Sequence, residues 1–314
     1  MSNKVYQIVT DQIIELLKQG TVPWRASWNG NRVAINAISN RAYSGINPFI
    51  LNQAALKNEY TDNRWLTFRQ AQKLGGHVKK GEKAITVVFW KPVEIRAENT
   101  ENGDGVATIR EVPVLRYYNL FNVSQCENLA IEPVETTRRS DLNPSVQAES
   151  IVTLMPNPPK IAKGLKACYN YRLDTVTIPP VHLFDNIAGY YSTLFHELVH
   201  STRHATRTGR DTTIPKGQHD ERYSKEELIA EMGAAMLCGT VGIENQTIQS
   251  SAAYIQHWLE NLQNDSRMVI RAASKAQKAV DFILGLAGER ASITNHREAG
   301  SNQVHATGRP SRNP

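Results

Sequence analysis

The chain reads as an α+β protein of two domains, and three observations carry that reading. The first part opens with apolar residues at helical spacing and then switches to strand spacing. A stretch rich in Pro, Ser, Thr and Glu interrupts the pattern near the middle, as a domain boundary would. Beyond it, short strand-like runs give way to helices, one of which contains His196-Glu197-Leu198-Val199-His200. These features place one domain at 1–130, a linker at 131–150 and a second domain at 151–288. A polar tail rich in Gly, Asn and Arg occupies 289–314, and its composition predicts disorder.

Residues 3–19 form an amphipathic pattern, with Val5, Ile8, Val9, Ile13, Leu16 and Leu17 toward one side and Gly20 as the stop. The loop TVPWRASWNGNR follows. Asn47-Pro48 reads as an N-cap with proline at the first helical position, opening a helix to about residue 60. Thr67-x-x-Gln70 has the spacing of a capping box, and Gly75-Gly76 closes that short helix. The period then changes. Residues 84–97 and 107–118 read as two strands joined by the polar tip ENTENGDG.

The second half restarts with strand-like runs at 151–155, 168–171 and 174–178. Asp185 is the expected N-cap of a helix over 186–203 whose apolar residues include Ile187, Tyr191, Leu194, Phe195 and Leu198. Ser224 is expected to open the next helix, to about Cys238, and Thr247 and Asp265 to cap helices over 248–263 and 266–286.

Composition excludes several classes. No run of 18 apolar residues is present, so the sequence predicts no transmembrane helix and no membrane partner. The amphipathic N-terminus lacks the unbroken apolar core of a signal peptide. The three cysteines are few, odd in number and far apart, which suits a reducing, cytoplasmic setting. Charge is uneven. Residues 1–93 hold 13 Lys+Arg against 5 Asp+Glu, whereas the remaining 221 hold 23 against 25. Four of the five tryptophans, Trp24, Trp28, Trp65 and Trp90, fall in the basic third. Cations interleaved with flat rings suit single-stranded nucleic acid, which presents phosphates and unstacked bases. The candidate DNA contacts are these four tryptophans with Arg25, Arg32, Arg41, Tyr43, Arg69, Lys79, Lys80 and Lys83. Taken singly, each is more readily structural, a core ring or a solvated turn; the cluster carries the expectation.

HELVH is the one stretch with explicit chemistry. Histidines at i and i+4 share a helix face, so His196 and His200 can point at one ion, while Glu197 stands beside them as a proton acceptor. A catalytic site of this kind needs a third protein ligand and keeps a position for water. His204 extends the same face but lies about 6 Å further along a straight helix. The helix SKEELIAEMGAAML offers carboxylates. Ser224-x-x-Glu227 has capping-box spacing, which gives Glu227 a structural task, whereas Glu231 falls on the flank of the apolar face, where a metal would offset its burial. The order of preference is Glu231, then Glu227, then His204 or His219. Tyr223 stands just before that helix as a candidate donor to an oxyanion. The expected ion is Zn²⁺ or another divalent metal such as Mn²⁺. No cluster of acidic residues suited to Mg²⁺ nuclease chemistry stands out.

The pieces PWRASW, NRAYSGINPFIL, WLTFRQAQKLGGHVKKGEKAITVVFW and YYNLFNVSQC resemble the N-terminal domain of ArdC-type antirestriction proteins. The stretches YYSTLFHELVHSTRHATR and ERYSKEELIAEMGAAML resemble their zincin-like metallopeptidase domain. The resemblance covers most of residues 1–290. It implies an N-terminal α+β domain that binds single-stranded DNA and a C-terminal zincin-like domain with an HExxH helix. It further implies a plasmid or mobile-element protein that protects incoming DNA from host type I restriction, a restriction-enzyme subunit being a possible target. Carried over residue by residue, it gives His196, His200 and Glu231 as ligands and Glu197 as general base. Related N-terminal regions occur in plasmid primases, but no primase signature is present. The other reading is a DNA-coating protein whose metal site is structural or vestigial.

Overall fold

A computed structural model describes residues 2–25, 33–98, 107–132, 143–210, 221–243, 245 and 252–286. The tail expected to be disordered, the hairpin tip and most of the loop after Trp24 lie outside the described residues. The architecture is α+β, as the change of period predicts.

Helix α1 (Ser2–Lys18) buries Val5, Val9, Ile13 and Leu17, which recur one turn apart, and Gly20 ends the turn after it at φ +77°. Strand β1 (Ile35–Asn36), helix α2 (Asn47–Lys57), strand β2 (Arg64–Leu66), helix α3 (Phe68–Lys73) and strand β3 (His77–Val78) lead to the long hairpin of β4 (Ile85–Glu98) and β5 (Ala107–Asn122). The main sheet runs β1-β2-β5-β4, with β1 parallel to β2 and the other pairs antiparallel. The hairpin register pairs Ile85 with Leu120 through to Glu98 with Ala107. Strand β6 (Cys126–Glu127) pairs with β3.

The capping box at α3 forms as its spacing requires: the Thr67 hydroxyl accepts from Gln70 N at 3.2 Å, and the Gln70 side chain accepts from Thr67 N at 2.8 Å. Asn47 behaves differently from its expected role. The cap position is Ile46, and the Asn47 amide bonds both the N–H and the carbonyl of Val88, at 2.9 and 2.7 Å. It thus stands in for the missing neighbour of edge strand β4.

In the second half, helix α4 (Pro144–Leu154) replaces the strand expected at 151–155 and takes up the end of the expected linker. Pro144, which reads as an interruption, occupies the first turn, and the Asn143 side chain caps it by accepting from Ser145 N at 2.9 Å. A small sheet follows in the order β7-β9-β8, from β7 (Lys160–Lys163), β8 (Cys168–Asn170) and β9 (Thr175–Ile178). Among the described residues four α-helices follow: α5 (Ile187–Ser201), α6 (Glu221–Val241), α7 (Ala252–Asn264) and α8 (Met268–Ile283).

One hydrophobic core crosses the two halves. It joins α1 residues Val9, Ile13 and Leu17 and Trp24 to Phe195, Leu198, Leu237, Trp258 and Val280. The Thr10 hydroxyl donates to Ser266 O at 2.7 Å, Gly45 N to the Gln277 side chain at 3.2 Å, and the Arg267 guanidinium lies 5.6 Å from the centre of the Tyr6 ring. A smaller cluster of Tyr43, Leu51, Trp65, Val87 and Leu120 fills the N-terminal sheet. Among the described residues no helix is long and apolar enough to cross a membrane.

Candidate metal centre

Helix α5 starts one residue later than expected: Asn186, not Asp185, is the N-cap, its side chain accepting from Gly189 N at 2.9 Å. His196 and His200 stand four residues apart, about one turn, and so share one face. Their Nε2 atoms approach to 3.1 Å. Glu227 of α6 closes the group, with carboxylate oxygens 3.4 Å from His196 Nε2 and 3.6 Å from His200 Nε2. Among the described residues, His196, His200 and Glu227 form the one set of three or more His, Cys, Asp or Glu side chains whose ligand atoms all lie within 4.8 Å of one another.

Glu231, the preferred third carboxylate at the level of sequence, lies elsewhere. It accepts from Trp24 Nε1 at 3.0 Å and from the Tyr254 hydroxyl. The reason is the start of α6. The described helix already runs from Glu221, so Ser224 lies inside it, buried, and no capping box holds Glu227. Glu227 therefore sits in a regular turn, free to face α5, and Glu231 falls one turn further on. Gly233 sets the distance between the helices: a Cβ there would stand 2.7 Å from Val199 Cγ2, so only glycine lets α6 approach α5 this closely. His204 takes no part, since its Nδ1 is 2.8 Å from the Thr206 hydroxyl and its ring lies on Tyr171; His219 lies outside the described residues.

Glu226, next to Glu227, points to the other side of the same imidazole. Its carboxylate is 3.1 Å from His200 Nδ1 and is held by Arg210 at 2.7 Å. Arg210 also donates to Val199 O at 2.8 Å and to the Thr202 hydroxyl. Successive helix positions point about 100° apart, so this Glu-Glu pair can address both nitrogens of one ring. Adjacent glutamates opposite an HExxH helix are the sequence signal for Glu226, although it did not separate the two roles.

The electrostatics suit a cation. Burial would raise the Glu227 carboxyl, but hydrogen bonding from His196 and His200 and their charge hold it far below the usual carboxylate range. Burial would lower the His200 imidazole, yet Glu226 and Glu227 keep it well above its ordinary value. Glu226 is held low against its burial by His200 and by the charge of Arg210. Two imidazole nitrogens face each other beside a carboxylate, which is a donor set fit for a divalent ion. Glu197 is 7% exposed and lines the cavity in front of this group, about 710 Å³, with Tyr223 and strand β8 on its walls. Burial, with the negative charge of Glu227, pushes the Tyr223 phenol up to about 12, so it keeps its proton and can donate.

The residues expected to contact DNA divide. Trp24 and Trp65 are fully buried, and Tyr43 is 8% exposed. Trp65 Nε1 donates to Asn63 at 2.7 Å, and Tyr43 packs on Phe89. These three rings cannot stack on a base in this structure. Trp90 is 44% exposed, Arg25 is partly exposed, and Arg41, Arg69, Lys79, Lys80 and Lys83 lie at the surface. Trp28 and Arg32 fall outside the described residues. The hairpin also carries exposed rings beyond Trp90 that are not among the expected contacts. Phe89 and Tyr118 meet edge to face at 5.4 Å, both exposed, with Arg116 paired opposite Phe89; Tyr117, also exposed, pairs opposite Val88 and so lies on the other face. Strand alternation around the Tyr117-Tyr118 pair held that signal.

The fold and the site define a two-part protein with an HExxH helix in a metallopeptidase-like second half. Residues 147–275 match the family described as zincin-like metallopeptidase, and residues 3–121 match the N-terminal domain of anti-restriction factor ArdC. The chain belongs to the ArdC antirestriction family. It is similar to the crystal structure of the metal-free antirestriction ArdC protein from R388 plasmid, with TM-score 0.71 and 34% identity over 90% of this chain and 98% of that one. The Mn(II)-bound form of that protein gives TM-score 0.69 and 34% identity over 90% and 97%. Among curated proteins, an Escherichia coli DNA primase TraC is 32% identical over 89% of this chain, and the chain spans 20% of that primase's length. An uncharacterized protein y4eC of Sinorhizobium fredii is 31% identical over 89% of this chain and 91% of its own.

Proposed function

We propose that this chain is an antirestriction protein of a plasmid or other mobile element, cytoplasmic in action. It binds single-stranded DNA, shields incoming DNA from type I restriction, and carries a metal-dependent peptidase site. The observation that carries the peptidase reading is the convergence of His196, His200 and Glu227 beside the buried Glu197 in an open cavity. A site kept only for folding has no use for that general base. The ion is Zn²⁺ or Mn²⁺; when bound, it would polarise a substrate carbonyl and acidify a water. Glu197 is the general base of this reading, placed to accept a proton from an attacking water and return it to the leaving amine. Tyr223 donates to the oxyanion as charge develops. Glu226 and Arg210 hold the His200 ring in place. A restriction-enzyme subunit is the proposed protein target.

The test compares wild type with Glu197→Gln for metal content and for protection of transferred DNA in a restricting host. The expected result is unchanged metal content with protection lost. A second reading, physical coating of DNA, draws on the exposed rings of the hairpin. It predicts equal protection from both proteins.

A further inference from the structure

Two residues that the sequence places in separate sites, Trp24 with DNA and Glu231 with metal, are bonded to each other. Trp24 Nε1 lies 3.0 Å from Glu231 Oε2 and 3.1 Å from the Tyr254 hydroxyl, which itself donates to Glu231. Trp24 has no exposed surface and stands edge-on to Trp258 at 6.2 Å; Tyr254 meets the same ring at 6.1 Å. The network thus joins three segments, the turn after α1, helix α6 and helix α7. A carboxylate is a costly way to fill such a place, because removing it from water must be offset by well-directed donors. Directed donors also do what an apolar side chain does not: they fix the rotation of α6 about its own axis. Glu231 lies one turn from Glu227 on the same face, so that rotation decides whether Glu227 meets His196 and His200. From the other side, α6 is seated on α5 by the close approach at Gly233.

We propose that Glu231 is a positioning residue which, through Trp24 and Tyr254, couples the N-terminal half of the chain to the metal helix. Occupancy of the His196–His200–Glu227 group and ordering of the turn around Trp24 are then linked. By reciprocity, whatever displaces Trp24 weakens the metal site, and a metal steadies Trp24. The inference rests on the metal reading above and extends it to communication between the two halves.

The experiment uses the full chain with added Mn²⁺ and follows amide hydrogen exchange. In wild type, Mn²⁺ is expected to slow exchange in α5 and α6 and also, by about fivefold or more, in residues 20–25 and around Tyr254. Trp24→Phe keeps an aromatic ring, smaller than the indole, and loses the N–H, and Glu231→Gln keeps the shape and loses the charge. In both, protection is expected in α5 and α6 but not in residues 20–25. Protection confined to α5 and α6 in wild type overturns the coupling and leaves the metal reading intact. Transmitted protection that survives in both variants also overturns it. If Mn²⁺ slows no exchange in α5, the metal reading falls and the coupling with it.

Discussion

The metal centre and the N-terminal sheet answer different physical questions, and the contrast explains how each appears in the sequence. At the metal centre, two of the three grouped side chains lie on one helix four residues apart, so helical geometry alone brings them together. On the N-terminal sheet, an aromatic ring serves the core or the surface according to which face of a strand it occupies and what packs there. Trp65 and Trp90 have the same chemistry, yet one is fully buried and the other 44% exposed. A motif carries its own geometry; an aromatic residue acquires a role only from its distant neighbours.

The largest expected effect tests the buried side of that contrast. Trp65→Ala removes a wholly buried ring and its bond to Asn63, and should cost about 3–5 kcal/mol of stability, read as a lower denaturant midpoint. Any loss of DNA binding should follow that unfolding and no more. The reverse pattern is expected for Phe89→Ala combined with Tyr118→Ala, whose rings are exposed. Affinity for single strands should fall by about 1–3 kcal/mol per stacked base lost, with the melting temperature little changed. Unaltered binding by the pair would remove the hairpin from the DNA surface.

At the metal centre the sharper comparison is between the adjacent glutamates. Glu227 faces the shared Nε2 atoms and Glu226 the outer Nδ1 of His200. Glu227→Gln should abolish measurable binding of Mn²⁺ or Zn²⁺. Glu226→Gln should weaken it by about 10–100-fold, since the ring keeps its ligand atom and loses the partner that orients it. Calorimetric titration of the two variants separates the roles; equal losses would place both carboxylates on the ion.

The α+β class, the α3 capping box, the hairpin and the HELVH helix were legible because each is written in local spacing. What escaped depends on context that no window of sequence contains. Glu227 looked committed to a cap because Ser224 has the spacing of one, and only the earlier start of α6 frees it. Glu231 looked like a ligand because a buried carboxylate needs a partner. It has partners, but one of them is 207 positions away in the chain. Pro144 marked a break that is in fact the first turn of α4.

The smallest effect expected lies behind Tyr169, which lines the cavity at the metal centre and donates to Asp174; Asp174, at the turn before β9, holds Arg207 from the loop after α5. The Arg207 side chain is fully buried and donates twice to Asp174, both at 2.8 Å, and also to the carbonyls of Asn157 and Ser201. Burial would raise the Asp174 carboxyl, but hydrogen bonds from Arg207 and Tyr169 and the charge of Arg207 outweigh it and hold the group below its ordinary value. A carboxyl depressed in the folded state adds stability above its unfolded pKa, and that stability is lost as pH falls through the folded value. Asp174→Asn should therefore be less stable than wild type at neutral pH, with the gap narrowing as pH drops below about 4. Because Asp174 remains partly exposed, the gap should be modest beside that of Trp65→Ala. Denaturant unfolding at neutral and acid pH measures it, and a gap that holds constant with pH would show that packing, not the ion pair, fixes this loop.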